Sequence, residues 1–72
     1  MQEYQLTLKA NKRPETLERI LRVIRHRGFE VKSLKVEANN ATFELELTLV
    51  SQRQISLLTH QLEKLFDVIE IN

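Results

Sequence analysis

Tyr4, Leu6 and Leu8 alternate with Gln5, Thr7 and Lys9, a period-2 pattern that predicts a strand with one buried face. The run Asn11-Lys12-Arg13-Pro14 breaks the alternation, and Pro14 suits the first turn of a helix, where its missing N–H costs nothing. Leu17, Ile20, Leu21 and Ile24 then recur at helical spacing, and Gly28 closes the helix as a left-handed cap. Glu15 and Glu18 near the start, with Arg25 and Arg27 near the end, complement the helix dipole. The solvent face of this helix is Glu18, Arg19, Arg22, Arg25 and His26.

Val31, Leu34 and Val36 predict a second strand with Lys35 and Glu37 turned outward. Val31 is out of step with the other two, so alternation does not fix where this strand starts. Asn39-Asn40 is a turn signal. Phe43, Leu45, Leu47 and Leu49 alternate strictly with Glu44, Glu46 and Thr48, the clearest strand in the chain. Ser51 followed by Gln54 reads as a capping box, opening a helix that buries Ile55, Leu58, Leu62 and Leu65. Val68 to Ile71 forms the last strand. The order βαββαβ with short connections predicts an α+β, ferredoxin-like sandwich. Residues 1–72 would form one domain, a four-stranded antiparallel sheet with two helices on one face.

Composition limits what such a domain can be. At 72 residues its core is small, and small domains need a staple: disulfides, a metal or oligomerisation. The chain has no cysteine, and His26 and His60 are too far apart for a local metal motif, which leaves oligomerisation. Hydrophobic residues at 42% and charged residues at 29% fit a soluble globular domain. No apolar run approaches the ~20 residues of a membrane span, and no signal peptide is visible, so a cytoplasmic location is expected. The net charge of +1 hides an asymmetry: Lys9 to Lys35 carries +6 and the remainder −5. That split either steers an acidic partner or joins two faces of the fold to each other.

Candidate chemistry is sparse. The open sheet face would carry Gln5, Thr7, Glu44, Glu46 and Glu70, without the aromatics on which an RNA-recognition module stacks bases. Glu44 and Glu46 are expected to pair across strands with Lys9 or Lys35 rather than to act as an acid pair. Ser33, Ser51 and Ser56 have no histidine and carboxylate arranged around them, and His26 and His60 sit on solvated helix faces. No catalytic residue and no metal ligand set emerges. Val23 and Leu57 each lie roughly 120° from the buried centre of their helices. They are candidate subunit contacts, together with Val31, Leu34 and Val36 on an edge strand that invites a second copy.

The runs Pro14-Glu15-Thr16-Leu17-Glu18-Arg19 and Arg25-His26-Arg27-Gly28-Phe29, followed by Val31, Ser33 and Leu34, make a specific combination. With Leu58, Leu62, Lys64, Leu65, Asp67 and Val68 further on, the chain closely resembles the small regulatory subunits of bacterial acetolactate synthase (acetohydroxyacid synthase), particularly the short isozyme II type. That resemblance implies an ACT domain with the βαββαβ order, and a homodimer. It also implies that the chain binds and activates or stabilises a thiamine-diphosphate-dependent large catalytic subunit. The reaction condenses pyruvate with a second 2-oxo acid towards valine, leucine and isoleucine. Thiamine diphosphate, Mg and FAD would belong to the catalytic subunit, and this chain would bind no cofactor.

The departures from the resemblance concern the effector. Feedback-sensitive members hold valine at the loop between first strand and first helix, with an Asn and a Gly there and an Asn after the helix-ending Gly-aromatic pair. The matching positions are Lys12, Glu15 and Glu30, within a loop of Asn11, Lys12, Arg13, Pro14 and Glu15. Glycine admits a ligand close to the backbone; Glu15 instead brings a side chain and a negative charge that would satisfy the helix end and repel an amino-acid carboxylate. The chain is therefore expected to support its partner without valine feedback. Two other classes stay open: a free-standing amino-acid-sensing ACT domain, and a nucleic-acid-binding domain using Arg19, Arg22, Arg25 and Arg27. The acidic sheet face argues against the second, and no membrane role is expected.

Overall fold

The two segments with the strictest alternation form the centre of the sheet. The computed structural model describes residues 1–72, in the order β1 (Gln2–Asn11), α1 (Thr16–His26), β2 (Glu30–Ala38), β3 (Thr42–Ser51), α2 (Ile55–Glu63) and β4 (Val68–Ile71). The strands are antiparallel in the order β2-β3-β1-β4, the ferredoxin-like arrangement expected from the sequence. β1 and β3 each pair on both sides, so a slip of one residue in either would turn every leucine to solvent. Inward-facing residues line up in rows across three strands: Val31, Leu49 and Tyr4; Leu34, Leu47 and Leu6; Val36, Leu45 and Leu8. The helices cover these rows with Ile20 and Ile24 from α1 and Leu58 and Leu62 from α2, and Phe29 completes the buried core.

The irregular start of β2 has a local cause. Val31 pairs with Leu49 and Ser33 with Thr48, leaving Lys32 as the extra residue of a β-bulge. One inserted residue restores Val31 to the inward face, which accounts for its broken phase.

The end of α1 follows from Gly28. Its φ of +86° places it in the left-handed region, its N–H donates to the Arg25 carbonyl at 3.1 Å, and the Phe29 N–H donates to the Ile24 carbonyl at 3.1 Å. This double closure is a Schellman motif, and it drops Phe29 into the core beside the helix it ends.

Ser51 and Pro14 take places other than those the local sequence predicts. Ser51 does not cap α2: it is the last residue of β3 and is buried, and Gln54 stands at the N-cap without a side-chain cap bond. The Ser51 hydroxyl donates to the Gly28 carbonyl at 2.8 Å and accepts the Arg53 N–H at 3.0 Å, so it ties the turn after β3 to the corner after α1. Its inward position continues the β3 alternation, which wins over the local capping pattern. Pro14, in turn, lies outside the helix. It occupies the second position of a turn closed by the Thr16 N–H on the Arg13 carbonyl at 3.2 Å, a position its fixed φ suits. The helix then starts at Thr16, whose buried side chain extends the Ile20 and Ile24 stripe by one turn.

Candidate functional site

The loop between β1 and α1 is tied to its surroundings at successive residues. The Asn11 N–H donates to the Asp67 carbonyl at 2.7 Å, and the Lys12 N–H donates to the Ala41 carbonyl at 2.9 Å. The Lys12 ammonium also donates to the Asn39 carbonyl at 3.3 Å. Arg13 Nε lies 3.2 Å from Asp67 Oδ1, in ion-pair range though not aligned as a hydrogen bond, and its guanidinium sits 5.3 Å over the Phe66 ring. The loop is thus held by the β2–β3 turn on one side and by residues 66 and 67 on the other. Nothing local in the sequence linked Asp67 to Arg13; only its position between the apolar Phe66 and Val68 hinted at burial.

Glu15 also departs from the role its sequence position predicts. It stands at the N-cap of α1, but its carboxylate makes no cap bond and the residue is exposed. With φ −96° and ψ 0° it is already helical, a backbone from which a side chain does not turn back to the first-turn N–H groups. The charge remains at the helix end; the bond expected of it does not form. Below it, the Thr16 hydroxyl is buried without a hydrogen-bond partner.

Glu30 does not join the loop within one chain. It pairs with Val50, which pairs with Glu3, whereas Asn11 pairs with Thr42. Those registers put Glu30 at one end of the sheet and residues 11–15 at the other.

The apolar surface divides between the two sheet edges. At the β2 edge, Val31 and Leu34 are 37% and 39% exposed, and with Leu21, Phe29, Arg25 and Glu30 they line a groove of about 470 Å³ between α1 and β2. Val36 is half-buried. At the opposite side Phe66 is 78% and Ile69 53% exposed. Leu57 is exposed on α2 as its helical angle implies, but Val23 is half-buried and packed on the core. Val23 and Arg27, four residues apart, share one side of α1, and Arg27 donates to Gln61 Oε1 of α2 at 3.1 Å. The second helix therefore covers the side of α1 that an isolated helix would expose.

Charge is partly settled inside the fold. Lys32, projected by the bulge, donates to Glu3 Oε2 at 2.7 Å; this pair and Arg13–Asp67 each join the basic segment to the acidic remainder. The hydrogen bond to Glu3, and then the attraction of its carboxylate, raise Lys32 above its ordinary 10.5. A raised value means the stabilisation is complete below pH 10.5 and is lost as pH rises through the raised value; both groups are exposed, so salt screens it. On the open sheet face Lys9 stands opposite Glu44 and Lys35 opposite Glu46, the cross-strand neighbours read from the pattern. No group of three His, Cys, Asp or Glu side chains could hold a metal ion, and no helix is long and apolar enough to cross a membrane.

Comparison with known proteins agrees with this geometry. Residues 12–71 match the profile of the ACT domain. The chain is 45% identical over 73 residues to the acetolactate synthase isozyme 2 small subunit of Escherichia coli (strain K12), covering 99% of this chain and 84% of that protein. Among solved structures, the ACT domain from the GTP pyrophosphokinase of Chlorobium tepidum superposes with a TM-score of 0.85 at 14% identity, covering 97% of this chain and 94% of that one. The acetolactate synthase small subunit from Thermotoga maritima superposes with a TM-score of 0.84 at 17% identity, covering all of this chain and 47% of that one. At such identities the two structures speak for the fold.

Proposed function

This chain belongs to the ACT-domain family, among the small subunits of acetolactate synthase, and we propose that it acts by binding and activating or stabilising the catalytic subunit of that enzyme. It is a regulatory subunit in branched-chain amino-acid biosynthesis and is not itself catalytic. The observation that carries this reading is 45% identity sustained across 99% of the chain. In the proposed reading residues 1–72 work as one domain in the cytoplasm, the cofactors reside on the catalytic subunit, and neither nucleic acid nor membrane is a partner. Reconstitution tests it: the chain mixed with its cognate large subunit is expected to form a complex and to raise acetolactate formation. Neither complex nor stimulation would overturn the reading.

The working form we propose is a homodimer paired through β2. This strand has one free edge, and the groove beside it presents Leu21, Val31 and Leu34. Antiparallel pairing of two β2 edges would continue the sheet and bury the leucines of both copies. It would also set the Glu30 end of one strand beside the Ala38 end of the other, near Lys12 of that second copy, whose ammonium reaches Asn39. Residues 11–15 and Glu30, at opposite ends of the sheet within one chain, would be brought together across copies in this way. Leu34→Asp is expected to weaken the dimer about 30-fold or more, the effect of losing ~2 kcal/mol at a central contact. Sedimentation equilibrium at micromolar concentration would show the change from dimer to monomer; an unaltered mass would exclude this edge.

Loss of valine feedback is the remaining part of the proposal. In that dimer Lys12, Glu15 and Glu30 would line the place where a ligand carboxylate approaches, and two of the three would repel it. Titration of isotope-labelled protein with millimolar valine is expected to leave the amide shifts of residues 11–16 unchanged. Saturable shifts there would refute the loss of binding.

A further inference from the structure

Asp67 is the one buried charged residue of the chain, with its side chain 5% exposed. A carboxylate in that setting is costly without a counter-charge, and the cation within ion-pair range of it is Arg13. The same residue holds the loop a second time, since its carbonyl accepts the Asn11 N–H at 2.7 Å. Phe66 holds it a third time, through the face of its ring under the Arg13 guanidinium. Lys12, between these ties, is fixed from the other side by Ala41 and Asn39.

We propose that Arg13, Asp67 and Phe66 form a built-in clasp that keeps the β1–α1 loop in one conformation with no effector present. This deepens the reading above, and rests on it only for the loop's role as the effector position; the clasp itself rests on the ion pair, the ring contact and the backbone bonds. The guanidinium supplies the positive charge the buried carboxylate requires, so opening the loop would leave Asp67 uncompensated. Order that an effector would have to contribute is thereby present at all times.

Native-state amide hydrogen exchange on the free chain tests the clasp. Arg13→Ala should speed exchange at Asn11 and Lys12 about ten-fold relative to Leu47 at the sheet centre, since those amides open with the loop. Arg13→Lys, which keeps the charge but loses the planar stack, should fall between. Phe66→Ala removes a side chain that is 78% exposed, spares the fold, and should speed the same amides by a smaller factor. If the loop amides change only in step with Leu47 in Arg13→Ala, and not at all in Phe66→Ala, the clasp is overturned. Failed reconstitution with the catalytic subunit would overturn the subunit reading while leaving these exchange rates as they are.

Discussion

Leu47→Ala is expected to remove about 2–5 kcal/mol of stability, the cost of truncating a buried leucine and leaving a cavity. Leu47 is 1% exposed, in the middle of β3, between Leu6 on β1 and Leu34 on β2. A domain of 72 residues has a total stability of roughly 4–11 kcal/mol at the usual ~0.05–0.15 kcal/mol per residue. The substitution therefore takes a large part of what is available, and a substantial unfolded fraction should be present at 37 °C. Urea denaturation followed by circular dichroism would measure it, with the slope unchanged and the midpoint lowered. A loss under about 1 kcal/mol would mean that the three-strand row at Leu47 does not carry the core.

Gly28→Ala should cost about 1–2 kcal/mol, the penalty for an L side chain in the left-handed region. A Cβ at this position would also stand 2.7 Å from Arg53 Nε. Arg53 is exposed, and its backbone is already anchored through the Ser51 hydroxyl and the Tyr4 hydroxyl, which donates to its carbonyl at 2.8 Å. The side chain can swing aside without moving the turn, so backbone strain should dominate the cost. A double-mutant cycle separates the two: in an Arg53→Ala background the loss from Gly28→Ala should agree with the wild-type loss within about 0.5 kcal/mol. Gly28→Asn should cost less than Gly28→Ala, because asparagine tolerates this conformation. A cycle in which removing Arg53 restores most of the stability would reverse the assignment, making the steric contact the larger effect.

The β1 and β3 strands, the buried Ile20 and Ile24 of α1, the buried Leu58 and Leu62 of α2 and the left-handed Gly28 were all readable, because each is a property of neighbours a few positions apart. The family resemblance came from short runs for the same reason. Leu65, expected on the second stripe, lies beyond the end of α2 at Glu63. Val31, Ser51 and Val23 were misplaced or unplaced, each because a local pattern competed with a partner far along the chain. The bulge at Lys32 reset the phase of Val31, β3 drew Ser51 inward past its capping signal, and α2 covered Val23.

The proposed effector positions divide in the same way. Lys12, Glu15 and Glu30 could be compared with a family pattern by number alone, which gave the expectation of a degenerate ligand loop. Their separation was decided by the sheet: the antiparallel registers of β1, β3 and β2 carry Glu30 to the end opposite Asn11. The pairing of Arg13 with Asp67 was likewise decided by the fold. Alternation and helical period determine which side of an element is buried, since burial favours each residue's own apolar surface. Which residues then face each other depends on loop closure and strand order, which bring distant segments together and leave a buried carboxylate only one cation to meet.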